Sequence, residues 1–228
     1  GDRQVEGIAC GNLGNAYHSL GETRRAVEML DKGLAIAFES SDRVQQGRLF
    51  ANLGAVYLTL GDYNRAIEVS KQGAAITLEV GNRVEAGRFL HNVAVCHEAL
   101  EQAREGIEAA WAGLRNLQEA ERSLGHGHDA LRMSLFENCS SSYQQLQRLL
   151  FAIKEPRLAL GVADMAKARG LAYLLDGEHM YGEESEEDPM VCAEREWARA
   201  SEIVKEQGCT VIQYSYLSDT KLAVWVVS

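Results

Sequence analysis

The chain has 228 residues and a net charge of −10, and no apolar run approaches the roughly 20 residues that a helix needs to span a bilayer. Most of this charge belongs to one segment: residues 1–175 hold 19 basic and 21 acidic side chains, whereas residues 176–228 hold 4 and 12. Neither part has the basic stripe that a nucleic-acid backbone attracts, so we expect neither a nucleic-acid nor a membrane partner.

The five cysteines are scattered along the chain, and no two of them have C-x-x-C spacing. This pattern indicates neither a disulfide framework nor a zinc site. The first residues, "GDRQVEG", form neither a basic segment nor an apolar core, so nothing in them indicates secretion. We therefore expect a cytoplasmic location and no bound cofactor.

A forty-residue period runs through the first half of the chain. A period of this length is typical of stacked-repeat architectures, in which each repeat is one supersecondary unit. The positions that recur at this interval are Arg3, Arg43 and Arg83; Gly7, Gly47 and Gly87; Asn12, Asn52 and Asn92; Leu20, Leu60 and Leu100; Gly33, Gly73 and Gly113.

Each repeat contains two helical patterns. In the second repeat, one apolar face recurs every three to four residues, which predicts a helix buried along Leu49, Leu53, Val56 and Leu60. Gly61-Asp62 ends that helix, and a second helix carries the small residues Ala66 and Gly73. Because glycine inside a helix costs about 1 kcal/mol relative to alanine, we interpret Gly54 and Gly73 as sites of close helix packing. The repeat is predicted to be a helical hairpin that stacks on its neighbours.

The pattern Leu-Gly-x-x-Tyr occurs at 13–17 and 53–57, and each copy is followed by an alanine, Ala26 or Ala66. It resembles the tetratricopeptide repeat (TPR), and the forty-residue form "NLG.AY..LG" is similar to the longer TPRs of the LGN-type polarity scaffolds. The third repeat is degenerate, with Val93-Ala94 and His97 in place of Leu-Gly and Tyr. The resemblance implies a mainly all-α fold, a superhelix of hairpins whose first helices line a concave side.

The C-terminal part departs from this period. After the insertion "ERSLGHGHD", we predict a fourth, irregular hairpin with helices from about 128 to 152 and from Pro156 onward. Its second helix, "LALGVADMAKARGLAYLL", resembles the helix that ends the TPR array in proteins with a CHAT domain, a caspase-like module. "VIQYSYLSDTKLAVWVV" resembles the first two strands of that domain.

The predicted organisation is a TPR array over 1–175, an acidic linker over 176–188, and a helix (Pro189 to Gln207) with a β-hairpin over 189–228. As a whole, the sequence resembles animal proteins of the TPR–CHAT type, and we expect it to be part of a longer protein.

An enzymatic site is not expected in these residues. Caspase-like catalysis needs a cysteine thiolate beside a histidine base, and the CHAT resemblance puts that pair beyond Ser228. His126 and His128 flank a glycine in a predicted loop, and two histidines are too few for a structural zinc site. The alternative is that the array is the regulatory or substrate arm of a caspase-like peptidase whose catalytic part lies outside this chain.

Binding of a partner protein is the favoured function. Arg48 and Asn52 are four residues apart on one predicted helix, as are Arg88 and Asn92, so each arginine lies beside its asparagine. Asparagine amides can bond a peptide backbone, and arginine can bind a carboxylate through two parallel bonds, which predicts an extended, polar or acidic ligand. By the TPR register, the candidate binding residues of the concave face are Asn12, Asn15, Arg48, Asn52, Arg88, His91 and Asn92.

Several alternatives stay open. Asn12, Asn52 and Asn92 are equally compatible with hydrogen bonds between repeats, and the arginines with ion pairs to nearby acids such as Glu85. Gly11 and Asn92 stand where TPRs with a carboxylate clamp carry basic groups, which argues against such a clamp. A further possibility is a homo-oligomer formed through the C-terminal hairpin or the open ends of the array.

Overall fold

The computed structural model describes residues 2–124, 129–174, 211–218 and 221–227, with positions 191 and 198. Eight helices and two strands have bounds in these ranges. They are α1 (Asp2–Ser19), α2 (Thr23–Glu39), α3 (Arg43–Leu60), α4 (Tyr63–Glu79), α5 (Arg83–Ala99), α6 (Ala103–Arg122), α7 (Asp129–Ala152), α8 (Pro156–Leu174), β1 (Val211–Ser218) and β2 (Lys221–Val227).

The helices form a solenoid of consecutive hairpins, which confirms the predicted all-helical repeat architecture. The pairs α1–α2, α3–α4 and α5–α6 are the three forty-residue repeats, and α7–α8 is a fourth hairpin. Each helix packs against the next one along the chain, and α1, α3, α5 and α7 also contact one another across neighbouring hairpins. We call these four the first helices, and α2, α4, α6 and α8 the second helices.

The turns between helices repeat every twenty residues. Backbone φ is positive at one residue of each turn: Gly21 (77°), Ser41 (54°), Gly61 (72°), Gly81 (77°) and Glu101 (59°). At the third turn, Asp62 N donates to Tyr57 O at 3.0 Å, so the left-handed residue closes a Schellman motif. The residue after it caps the following helix, because the Asp62 carboxylate accepts from Arg65 N at 3.2 Å.

Close approach between helices occurs at glycines of the repeat. A Cβ built at Gly73 would lie 2.4 Å from the ring of Phe89, which is 2% exposed. In the third repeat, a Cβ at Gly113 would lie 3.0 Å from the carbonyl oxygen of Gly87. Gly73 is therefore a close-packing position, as predicted, and so is Gly113, because a methyl group would meet the Phe89 ring or the Gly87 carbonyl oxygen. At Gly54, the other predicted position, a Cβ would lie 3.3 Å from Ser70 Oγ, so the packing there is looser.

The recurring arginine at the start of each repeat has a structural role. Arg3 pairs with Glu39 at 3.0 Å, and Arg43 pairs with Glu79 at 3.3 Å, so the first helix of a repeat is tied to the last turn of its second helix. All four side chains are about half exposed, so solvent screens these pairs and they contribute little to stability.

The apolar face predicted for the second repeat is mostly correct. Leu49, Leu53 and Val56 are each 1% exposed, but Leu60 is 52% exposed, so its assignment to the buried face was wrong. Leu60 is the last residue of α3 and directly precedes the left-handed Gly61, where the helix has turned away from the core. Trp111, at 4% exposure, belongs to the buried core.

The two strands pair antiparallel, with Tyr214 opposite Val224 and an irregularity between Tyr216 and Ser218. The predicted acidic linker, residues 176–188, lies outside the described residues. The same holds for His126, for His128 and, apart from helical positions 191 and 198, for the predicted helix from Pro189 to Gln207.

The left-handed conformation of Glu101 gives a first prediction. Glu101→Gly should raise the free energy of unfolding by about 0.5–1 kcal/mol, because relief of a strain of about 1–2 kcal/mol exceeds the entropy that glycine adds to the unfolded chain. Urea denaturation measures the change. Glu108→Gly, inside α6, is the matched control and should instead destabilise by about 1 kcal/mol. A loss of stability in Glu101→Gly would contradict the proposed strain.

The contact between helix backbones gives a second prediction. In Gly87→Ala, the new methyl group would meet Leu117 Cγ at 2.7 Å and Gly113 O at 3.0 Å, so we expect a loss of about 1–3 kcal/mol in unfolding free energy. In Gly54→Ala, the control, the nearest atom is Ser70 Oγ at 3.3 Å, and we expect a change within about 1 kcal/mol. Equal effects in the two variants would show that backbone approach at Gly87 does not limit packing.

Candidate functional site

Two adjoining cavities lie along the first helices. One, of about 280 Å³, is formed mainly by α3 with the start of α5 and the end of α4; the other, of about 440 Å³, is formed by α3, α5 and α7. They share Ala51, Asn52 and Glu85, so they are two parts of one continuous depression. We call this depression the groove.

Six of the seven predicted binding residues line the groove. Asn15, Arg48 and Asn52 line the smaller cavity, and Asn52, Arg88, His91 and Asn92 line the larger one. Asn12 is exposed on α1 but lines neither cavity. The structure thus brings together the arginines and asparagines of the second and third repeats with Asn15 of the first, and it leaves Asn12 outside.

The helical period explains which side chains face the groove. In α3, Leu49 and Leu53 are buried in the core, which leaves Arg48 exposed and Asn52 half-buried on the neighbouring face. In α5, the buried residues at the equivalent positions are Phe89 and Val93, and they leave Arg88 and Asn92 in the same arrangement. Repetition of one pattern at forty residues therefore places two Arg–Asn pairs along one surface.

The amides of the recurring asparagines, Asn12, Asn52 and Asn92, form no hydrogen bond with the part of the chain that the structure describes. The described residues thus give no hydrogen bond in support of the alternative that these asparagines hold neighbouring repeats together. Asn52 and Asn92 therefore each retain an amide donor and an amide acceptor that a ligand can satisfy. Polar groups that are removed from water normally have such a partner.

The two arginines of the groove differ. Arg88 Nη1 lies 3.3 Å from Glu85 Oε2, as the ion-pair alternative predicted. Arg48 forms no ion pair with any described residue. A ligand carboxylate would have to compete with Glu85 for Arg88, whereas it would find the guanidinium of Arg48 without a protein partner.

His91 contributes a neutral ring to the larger cavity. Burial lowers its pKa, and the positive charge of Arg148 lowers it further, while Glu98 acts in the opposite direction. Nδ1 of His91 is buried and has no hydrogen-bond partner among the described residues. The ring is therefore uncharged near neutral pH, and the charge of this cavity comes from Arg88 and Glu85.

Helix α7 supplies groove residues that the repeat pattern did not predict. Asn138, Ser141 and Ser142 line the larger cavity. The Ser141 and Ser142 hydroxyls donate to carbonyl oxygens one turn earlier in α7, at 3.1 Å each. Ser141 is exposed and can still accept a hydrogen bond from a ligand, whereas Ser142 is 0% exposed. The forty-residue register does not reach α7, because an insertion precedes it, so no periodic signal assigns these residues to the groove.

A polar network behind the groove joins α5 to α7. Glu98 of α5 accepts from Gln145 Nε2 at 2.5 Å and from Arg148 Nε at 3.2 Å, and Arg148 also donates to Gln145. Gln145 is fully buried, so the network fixes the side of α7 that turns to the groove.

The three described cysteines are buried, and the described residues form no metal-binding cluster. Burial raises the pKa of the Cys96 thiol to about 11, which keeps it protonated at neutral pH, and Cys10 and Cys139 are also buried. No cluster of three His, Cys, Asp or Glu side chains suited to a metal occurs in the described ranges. Among the helices that the structure describes, none is both long and apolar enough to cross a bilayer.

Comparison with known proteins gives a family match in the first two repeats. Residues 4–79 match the tetratricopeptide repeat family. A protein of Podosopora anserina, described as having kinesin light chain nearly identical TPR-like repeats, is 18% identical with a TM-score of 0.53, over 88% of both chains. A variant of that protein with one substitution, also 18% identical, gives a TM-score of 0.56 over 91% of this chain and 90% of that chain.

The apo form of RapI is 15% identical, with a TM-score of 0.53 over 91% of this chain and 60% of RapI. At these identities, the similarity concerns the fold. No curated protein sequence matches the chain.

The buried imidazole of His91 gives a third prediction, on pH dependence. The pKa of His91 is lower in the folded than in the unfolded state. As the pH falls below about 6.5, the ordinary pKa of histidine, the unfolded chain therefore binds more protons than the folded chain, and the free energy of unfolding decreases. Urea denaturation between pH 7.5 and 5 should show this loss, and His91→Gln should reduce it. An unchanged pH dependence in His91→Gln would assign the loss to other groups.

Proposed function

We propose that the groove binds an extended segment of a partner protein, polar or acidic in character, and that the TPR array acts as a protein–protein interaction scaffold. The observation that carries this proposal is the pair of half-buried asparagines, Asn52 and Asn92, which line the larger cavity together with Arg88. Their amides form no hydrogen bond with any residue that the structure describes. Unpaired polar groups in a concave surface are expected to be satisfied by a ligand.

The chemistry of the lining suits a peptide backbone. Each asparagine amide can donate to a carbonyl and accept from an N–H of the ligand, which an extended segment presents every 3.2–3.4 Å or so along its length. The cavity of about 280 Å³ lies just below the usual range for small-molecule pockets, about 300–1,000 Å³, and the cavity of about 440 Å³ lies in its lower part. A continuous depression of this size accommodates a few residues of an extended segment.

Electrostatics favours an acidic residue in the ligand. Three arginines, Arg43, Arg48 and Arg88, line the groove with one acid, Glu85. Arg43 is paired with Glu79 and Arg88 with Glu85, so Arg48 is the one of the three that offers an unpaired guanidinium among the described residues. We place a ligand carboxylate at Arg48.

We extend the proposal to the remainder of the chain. Residues 189–228 open a CHAT-like module that the array positions, and the protein is of the TPR–CHAT type, similar to tetratricopeptide repeat protein 28, acting in the cytoplasm. This part is supported by the resemblance of residues 211–227 to the opening strands of a CHAT domain, and it assigns no catalytic role to residues 1–228.

The fourth prediction tests the groove with peptides selected on the 228-residue protein from a random display library. We expect the enriched sequences to contain acidic residues and to bind Arg48→Ala about 10- to 100-fold more weakly, which corresponds to the loss of one charge-assisted hydrogen bond of about 1.5–3 kcal/mol. Arg88→Ala should cost less, because that guanidinium is shared with Glu85. Isothermal titration calorimetry measures each affinity.

Lys71→Ala is the matched control. It also removes one exposed positive charge, but from the second helix α4 and outside the groove, so the selected peptides should bind it as they bind the unmodified protein. Equal affinity for Arg48→Ala, Asn52→Ala and Lys71→Ala, with folding intact by circular dichroism, would exclude the groove as the binding site.

A further inference from the structure

The smaller cavity of the groove has an apolar part. Val44, in the first turn of α3, is 65% exposed, and Val80, directly after α4, is 43% exposed, and both line this cavity. The larger cavity differs, because Phe89 and Leu117, the large apolar side chains in its lining, are 2% and 1% exposed. The exposed large aliphatic side chains of the groove lining therefore belong to the smaller cavity.

Gly47 and Thr77 extend this apolar surface. Both line the smaller cavity, and a Cβ built at Gly47 would lie 3.2 Å from the Thr77 methyl carbon Cγ2. The Thr77 hydroxyl lies 2.9 Å from Gly73 O and 3.0 Å from Ala74 O in α4, so Thr77 turns its methyl group to Gly47. Because Gly47 has no side chain, it leaves space for a ligand group against the backbone of α3. We call Val44, Gly47, Thr77 and Val80 the apolar pocket.

The two valines of the apolar pocket are not covered by the core. Neither Val44 nor Val80 packs against a hydrophobic core cluster of the described residues. Val84, forty residues after Val44, is half-buried and packs against the core that α5 to α8 share. A single exposed valine is common on a protein surface, but two in one concave lining beside the unpaired Arg48 form a surface that a ligand can cover.

We propose that the apolar pocket binds an aliphatic side chain of the partner segment, a valine, isoleucine or leucine, two positions away from the acidic residue that Arg48 binds. This inference rests on the proposed function, since it specifies the segment that the groove binds.

The spacing of the two ligand residues follows from helix geometry. Val44 and Arg48 are four residues apart in α3, so they lie on one side of the helix, about 6 Å apart along its axis. In an extended segment, side chains two positions apart point the same way and are separated by about 6.4–6.8 Å. A carboxylate at Arg48 and an aliphatic side chain at Val44 therefore match positions i and i+2 of one ligand.

The chemistry of the apolar pocket favours an aliphatic over a polar side chain. An aliphatic ligand group removes Val44 and Val80 from water together with its own surface. A polar group would give up hydrogen bonds to water there, because the polar side chain of the pocket, Thr77, directs its hydroxyl to carbonyl oxygens of α4.

Peptide affinities test the apolar pocket. Peptides that the 228-residue protein enriches from a random display library are sequenced, and we expect Val, Ile or Leu two positions from an acidic residue. An enriched peptide is then compared by isothermal titration calorimetry with its variant that has serine at the aliphatic position. We expect the unmodified protein to bind the aliphatic peptide about tenfold more tightly, and Val44→Ser should reduce this preference to about threefold or less.

Val5→Ser is the matched control. Val5 is also 65% exposed and lies near the start of a first helix, but it lines neither cavity, so this variant should keep the tenfold preference. Circular dichroism shows that both variants retain the fold.

The outcomes separate the apolar pocket from the groove. Enriched peptides that need Arg48 but have no aliphatic residue at this spacing would overturn the apolar pocket and leave the groove in place. An unchanged preference in Val44→Ser would do the same. A selection that enriches no peptide, or only peptides that bind Arg48→Ala and Val44→Ser as tightly as the unmodified protein, would overturn both.

Discussion

The structure depends on how closely the backbones of paired helices approach. A Cβ built at Gly87 would lie 3.0 Å from the carbonyl oxygen of Gly113, and a Cβ built at Gly113 would lie 3.0 Å from that of Gly87. The ring of Phe89 packs directly on the backbone of Gly73. Interiors at this packing density do not accommodate an added methyl group without a shift of the surrounding atoms. The spacing of the helices in each hairpin, and hence the direction that each first helix presents to its neighbours, follows from these contacts.

The groove is a consequence of this packing. Once Leu49, Leu53 and their counterparts have been buried, the remaining face of each first helix is set, and it carries an arginine followed one turn later by an asparagine. The core therefore determines the position of the polar residues, although none of them contributes to it. Because the hairpins stack in one direction, the Arg–Asn pair of one hairpin is followed by the pair of the next, and the polar groups form a row. Repeat proteins form extended binding surfaces in this way.

Local charge, and not net charge, governs what such a row attracts. The chain as a whole carries −10, yet three arginines and one glutamate line the groove. At physiological ionic strength, charges separated by more than about 8 Å are largely screened when they are exposed, so acidic side chains elsewhere on the chain have little influence on a ligand in the groove. An overall acidic protein can therefore bind an acidic segment.

The sequence by itself determined the local features: the forty-residue period, the turn residues, the packing role of the glycines and the face on which Arg48, Asn52, Arg88 and Asn92 lie. These follow from the geometry of a single helix and a single turn, which neighbouring residues in the chain specify. Only the tertiary structure decided which of these groups are available to a ligand. Asn12 lies outside the groove, Arg88 is paired while Arg48 is not, and α7 contributes Asn138 and two serines. These outcomes depend on which residues of separate hairpins come into contact. The periodicity of a single helix gives no information on the distances between residues of different hairpins.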